Sequence, residues 1–291
     1  MKTIIKSLLA LSLLFTVISC DDKDLDPTLS VNKDITTIKS VNDLNLVISG
    51  AYDRMTNSFY YGRDILIFGD VRSDNAYSNG NSGRFVTAGS MDMVDSDAYP
   101  RDTFTQIYKV IGSCNIVINS SIAGANATET SQISYYKGQA LTLRALAHYD
   151  LLRLFGQQNV DGGGLTAKGI AYVKEFQSSN LSPSRNTVGK VKDFIYADLD
   201  QALSLMNADL DGSKETITTP AVNAIKARVA LYFEDWTIAK KASSDAMNTA
   251  AANGSRIAQA NEFVNSYTMP TPVNSIFELA FRDNDNQSID G

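Results

Sequence analysis

The sequence predicts a mainly α protein, built of stacked helical hairpins with long irregular loops and a few short strands. Three observations predict it. Apolar residues recur at spacings of three and four along several segments. Helix-capping residues stand where those segments begin. A stretch from about residue 60 to 100, dominated by Gly, Asn, Asp and Ser, breaks the periodicity and reads as loop. With 291 residues, 44% of them hydrophobic, the chain can bury a sizeable core. Its net charge of −6 argues against a nucleic-acid partner, which needs a basic stripe. A single histidine, His148, excludes a multi-histidine metal site, and two cysteines, Cys20 and Cys114, are too few for a disulfide scaffold or a Cys-rich zinc site. No metal and no cofactor is expected.

Residues 1–19 read as a signal peptide rather than fold. Lys2 and Lys6 form a basic start, and the apolar run Leu8 to Ile18 is too short to span a membrane. Small Ser19 precedes Cys20, the expected site of lipid attachment. Residues 20–39 then form the lipidated N-terminus and an acidic tether, Asp21-Asp22-Lys23-Asp24-Leu25-Asp26-Pro27. With Cys20 acylated, Cys114 has no intrachain partner and is expected to be a buried free thiol.

The elements of residues 40–291 follow in order. Ser40-Val41-Asn42-Asp43 fits a capping box, after which Val41, Leu44, Ile48, Ala51 and Met55 share a face. Gly50 inside this helix suggests a close approach to a neighbour. Short strands are expected at 65–68 and 84–87 within the loop region. A helix over 102–121 turns Phe104, Ile107, Ile111 and Ile118 to one side. A longer one, 132–155, stops at Gly156 as a C′ residue. A Gly-rich loop and a strand candidate at 169–173 come next. Thr187 introduces a helix with Val188, Val191, Ile195, Leu199, Ala202 and Met206 in register. Pro220 is placed at the first position of the next, which runs to about Glu234, and Asp235 is the expected N-cap of the last.

This last pair carries a repeat pattern. Ala227, Leu231, Tyr232, Trp236, Ala239 and Ala246 resemble one tetratricopeptide (TPR) hairpin, in which Tyr232 and Trp236 fill the wedge at the turn. One hairpin cannot bury its own face, so TPR-like stacking on the other helices is required.

The run from Gly138 to Gly156, GQALTLRALAHYDLLRLFG, resembles the signature helix of the SusD/RagB lipoproteins of Bacteroidetes. Further segments match in that family's order: the lipoprotein signal with Asp24-Leu25-Asp26, Gly50-Ala51-Tyr52, Ser182 to Thr187 leading to Asp198-Leu199, Ala227 to Tyr232 with Asp235-Trp236, and a strand-like Ser275 to Leu279. The resemblance implies a SusD-like fold and an outer-membrane lipoprotein with palmitate-type acyl chains, facing the cell surface. It would capture oligosaccharide for a SusC-like TonB-dependent transporter, without catalysis. A TPR-type protein-interaction scaffold, or peptide capture on the same fold, is the alternative. Because the family continues through a second half, the resemblance also implies that 40–291 is an N-terminal portion, incomplete at its C-terminus.

The chemistry agrees with binding. No G-x-S-x-G, H-E-x-x-H or Walker loop is present. Lone His148 reads as a core residue, and Asp150 with Arg153 as a helix-surface pair worth a few tenths of a kcal/mol. Asp92, Asp95 and Asp97 are acidic-protein background rather than a glycosidase pair. Sugar binding needs aromatic faces for rings and amides or carboxylates for hydroxyls. The 60–100 loop offers both, and Asp74, Asn75, Tyr77, Asn79 and Asn81 are the candidate ligand-binding residues.

Overall fold

A computed structural model describes residues 38–160, 162–176, 182–269 and 272–281. Cys20, the leader and most of the tether lie outside the described residues, as do Asp161 and the end of the chain. The described residues are mainly helical, with no β-sheet among them. The longer helices are α1 (Val41–Met55), α2 (Asp64–Val71), α4 (Ala98–Ile118), α5 (Ala127–Phe155), α6 (Val188–Leu205), α7 (Thr219–Tyr232) and α8 (Trp236–Ala250); α3 (Val86–Gly89) is a single turn. The helices longer than α2 pack on one another in chain order: α1 on α4, α4 on α5, α5 on α6, α6 on α7 and α7 on α8.

Local chemistry sets most of the boundaries. Ser40 and Asp43 form the expected capping box on α1. Asn126 accepts from the Glu129 N–H to start α5, and Thr187 from the Lys190 N–H to start α6. Pro100 lies in the first turn of α4, which begins earlier than the periodicity suggests; a missing N–H there breaks no helix bond. Pro220 sits one residue further into α7 than expected. The predicted stripes are buried at Leu44, Ile48, Ala51 and Met55 on α1, and from Val188 to Met206 around α6.

Helix α5 organises the core. Every residue from Gly138 to Leu152 is buried, so the helix is covered all round and its polar residues must find partners inside the protein. Each does so with a different neighbour. The Gln139 amide donates to the Ile217 carbonyl, and the Thr142 hydroxyl to the Gly138 carbonyl. Arg144 reaches Asp198 of α6 and Asn115 of α4. Asp150 accepts from Tyr60 and Tyr61, which fixes the turn before α2. Gly138 marks the tightest crossing: a Cβ there would lie 2.3 Å from Met206 Cγ and 3.2 Å from the Ala202 carbonyl oxygen.

Several expectations are corrected. Residues 65–68 are helical within α2, because the unbroken apolar run Ile65-Leu66-Ile67-Phe68 carries no period to separate strand from helix, and 86–87 lie in α3. Residues 169–173 and 275–279 join no sheet. The first is held by the Gly169 N–H to Asn186 (2.7 Å) and the Asn186 N–H to Ile170 (3.0 Å); the second is tied by the Glu278 N–H to Lys214 (2.9 Å). Gly50 has open space where a Cβ would stand. Gly156 is extended (φ −79°) rather than left-handed, and is required because a Cβ would meet the Leu152 carbonyl at 2.5 Å.

Phe104 is exposed, while Val110, Cys114 and Val117 complete the buried face of α4. Trp236 is 62% exposed and fills no wedge. Tyr232 takes that role, edge-on to Tyr149 and Phe233, and the turn through Glu234 (φ 59°) carries Trp236 outward. Asp235 precedes α8 without capping it, because Lys192 (2.7 Å) and Tyr196 (2.6 Å) of α6 hold its carboxylate.

Candidate functional site

The five candidate residues lie on one loop between α2 and α3. Both ends of that loop are fixed by aromatic packing: Phe85 stacks on Tyr99 (4.4 Å between centroids), and Phe68 meets both edge-on. Arg63 covers the Phe85 ring, and Arg72 covers Phe68 while donating to its carbonyl. Across the loop the Ser78 hydroxyl donates to the Arg84 carbonyl (2.7 Å), and Asn79 Oδ1 accepts from the Asn81 N–H (3.0 Å). Gly80 and Gly83 take the positive φ angles that these turns demand.

All five candidates are exposed, and the Tyr77 ring stands 84% exposed at the tip. Asn79 and Asn81 are in direct contact; Asp74 and Asn75 occupy the preceding turn, where Ser73 Oγ accepts from the Asn75 N–H. The result is an exposed polar surface with one aromatic face on a fixed base, suited to contact rather than chemistry.

The titratable groups of the signature helix are structural. His148 is wholly buried, stacked on Tyr172 at 3.7 Å, with Nδ1 2.8 Å from the Arg144 carbonyl and Nε2 accepting from the Val173 N–H at 3.0 Å. Burial, with the Arg144 and Lys174 charges nearby, lowers its pKa to about 3, so the ring is neutral. Asp150 is not half of a surface pair. It is buried and accepts from Tyr60 (2.7 Å), Tyr61 (2.9 Å) and Arg153 (2.5 Å). Cys114 is buried without a disulfide, and burial pushes its thiol up to about 12. Among the described residues no cluster of His, Cys, Asp and Glu could hold a metal ion, and no helix is long and apolar enough to cross a membrane.

Sequence reasoning missed a second concavity. A cavity of 310 Å³ opens between α1, α5 and the segment before α7, lined by residues including Asn45, Tyr52, Gln132, Tyr136 and Gln139. Its only trace in the sequence is polar residues four apart on each of two helices.

Residues 24–231 match the family described as starch-binding and associating with the outer membrane. The chain belongs to the SusD-like family. SusD-like protein P2 of Formosa agariphila is 29% identical over 146 residues, a match taking in 50% of this chain and 28% of the relative. A crystallised SusD superfamily protein from Bacteroides thetaiotaomicron superposes with a TM-score of 0.73 at 23% identity, over 85% of this chain and 54% of that one. A SusD-like carbohydrate binding protein from Bacteroides vulgatus gives 0.66 at 20%, over 86% and 52%. The chain thus spans about half the length of these solved relatives. The SusD-like fold expected from the signature helix is the fold observed, with α5 at its centre.

Proposed function

We propose that this SusD-like chain is the ligand-capturing body of a surface nutrient-binding lipoprotein. Cys20 carries the lipid that anchors it on the outer face of the outer membrane. The protein takes up an oligosaccharide and passes it unchanged to a SusC-like TonB-dependent transporter. The observation that carries this reading is the family match over 24–231. The loop chemistry supports it. Exposed Tyr77 offers a face to a sugar ring, and the amides of Asn75, Asn79 and Asn81 can each donate to and accept from hydroxyls. Neutral amides around one aromatic face suit the hydroxyls and ring faces of a glycan. A neutral, enclosed His148 supports binding without turnover.

Capture for hand-over must be reversible, and a few exposed contacts fit micromolar to millimolar affinity, roughly −8 to −4 kcal/mol. The test titrates neutral oligosaccharides and peptides against the wild type and Tyr77→Ala. An oligosaccharide should bind in that range and lose about tenfold on the substitution. Turnover of any compound, or binding of peptides alone, would overturn the reading; in parallel, Cys20→Ala should release the protein from the membrane fraction.

A further inference from the structure

We propose that the cavity between α1, α5 and residues 207–217 is a second binding site, shaped for one neutral sugar residue or a polyol of that size. Its volume of 310 Å³ is at the lower end for small-molecule sites and suits a single ring rather than a chain. The groups around it divide into two sets. One set is already committed and builds the walls. The Tyr52 hydroxyl accepts from the Ile217 N–H (2.8 Å), the Gln139 amide donates to the Ile217 carbonyl (2.9 Å), and the Tyr135 hydroxyl donates to Asp211 Oδ1 (2.9 Å). Asp211 Oδ1 also accepts from the Thr219 N–H (2.9 Å), so the segment before α7 is clamped to both helices.

The other set is uncommitted. Asn45 and Ser49, one turn apart on α1, and Gln132 and Tyr136, one turn apart on α5, make no side-chain hydrogen bond to the described residues. Two amides and two hydroxyls thus meet across the opening, each able to donate and accept. Ile48 and Leu210 add apolar surface, and the tyrosine rings add faces for C–H contact. Among the described residues no Asp, Glu, Lys or Arg lines the cavity, and the Asp211 carboxylate beside it is held by the Tyr135 hydroxyl and the Thr219 N–H. A charged ligand would lose its hydration there without a counter-charge, whereas a neutral hydroxyl-rich one exchanges water for matched donors and acceptors. The walls are preorganised by the core beneath them, so little ordering opposes binding.

The site is separate from the 74–81 loop and stands whether or not that loop binds glycan. Its test uses the full chain, ligand-observed saturation-transfer NMR and calorimetric titration. Glucose, galactose, mannose and N-acetylglucosamine are the probes, with glucuronate and glycine as charged counterparts. At least one neutral sugar should bind in the millimolar range, and the charged compounds at least tenfold more weakly. Gln132→Leu and Asn45→Leu should each weaken binding about fivefold, as expected for one lost hydrogen bond. Their melting temperatures should stay at the wild-type value, and the titrations are repeated in a Tyr77→Ala chain, where the loop has lost its ring face and the cavity is intact. In the Tyr77→Ala chain, no transfer from any neutral sugar, or transfer that survives both cavity substitutions, would overturn the proposal. Loss of oligosaccharide binding in Tyr77→Ala, with monosaccharide transfer still present and still lost on the cavity substitutions, separates this site from the loop.

Discussion

Acid should destabilise this protein through one identifiable proton. His148 is the chain's single histidine, and its folded pKa of about 3 lies far below the usual value near 6.5. The folded state keeps the ring neutral, because Nδ1–H is aimed at the Arg144 carbonyl and Nε2 must accept from Val173. The unfolded chain takes up a proton as pH falls through 6.5. Stability contributed by the neutral ring is therefore complete above that pH and drains away down to about pH 3. Between pH 7 and pH 5 this one site removes about 1.9 kcal/mol, approaching 1.4 kcal/mol per pH unit at the lower end. Asp64 acts in the opposite sense: burial raises its pKa against the pull of Arg63, so it favours the folded state as it protonates. Asp64 is shared by wild type and variant, and the comparison between them removes it.

The assay is urea unfolding at pH 7, 6 and 5 for the wild type and His148→Gln, whose amide can still accept from the Val173 N–H. The variant starts less stable, having lost the stack on Tyr172, but its stability should change by about 1.9 kcal/mol less across the range. Parallel curves for the two proteins would refute the reasoning. So would an NMR titration of His148 with a midpoint above pH 5.

Two further outcomes follow from the packing. Arg144→Met should cost about 3–5 kcal/mol, because it strands the Asp198 carboxylate that the guanidinium grips twice at 2.7 Å inside the core. Adding Asp198→Leu should recover a large part of that loss, and a double-mutant cycle on melting would read the coupling. Trp236→Ala should change stability by no more than about 0.5 kcal/mol, and the native emission spectrum should resemble that of an exposed indole; a blue-shifted native spectrum would contradict the outward placement.

The fold was legible wherever a local rule carried it. The Ser40 capping box, the Thr187 cap and the stripe from Val188 to Met206 act within a few residues, and they appear as read. What escaped was tertiary. Asp198 lies 54 residues from Arg144, and Tyr60 lies 90 from Asp150, so no window along the chain pairs them. Both were therefore missed while the helix bearing them was found. Trp236 was misplaced because a repeat pattern fixes which residues are large, not which way a turn at Glu234 rotates them. Asp74 to Asn81 were legible as a polar loop with one aromatic. The cavity was not, since Asn45 and Gln132 become neighbours only when α1 and α5 pack.

The Cys114 thiol gives this protein a built-in clock. Enclosed between α1, α4 and α5 with its pKa near 12, it presents about one thiolate in ten thousand at pH 8, on a sulfur no reagent can reach. In a Cys20→Ala chain, alkylation of Cys114 can proceed only as fast as these helices part. Its rate under native conditions measures how often the centre of the molecule breathes, without denaturant. A ligand that draws α1 toward α5 should slow the clock.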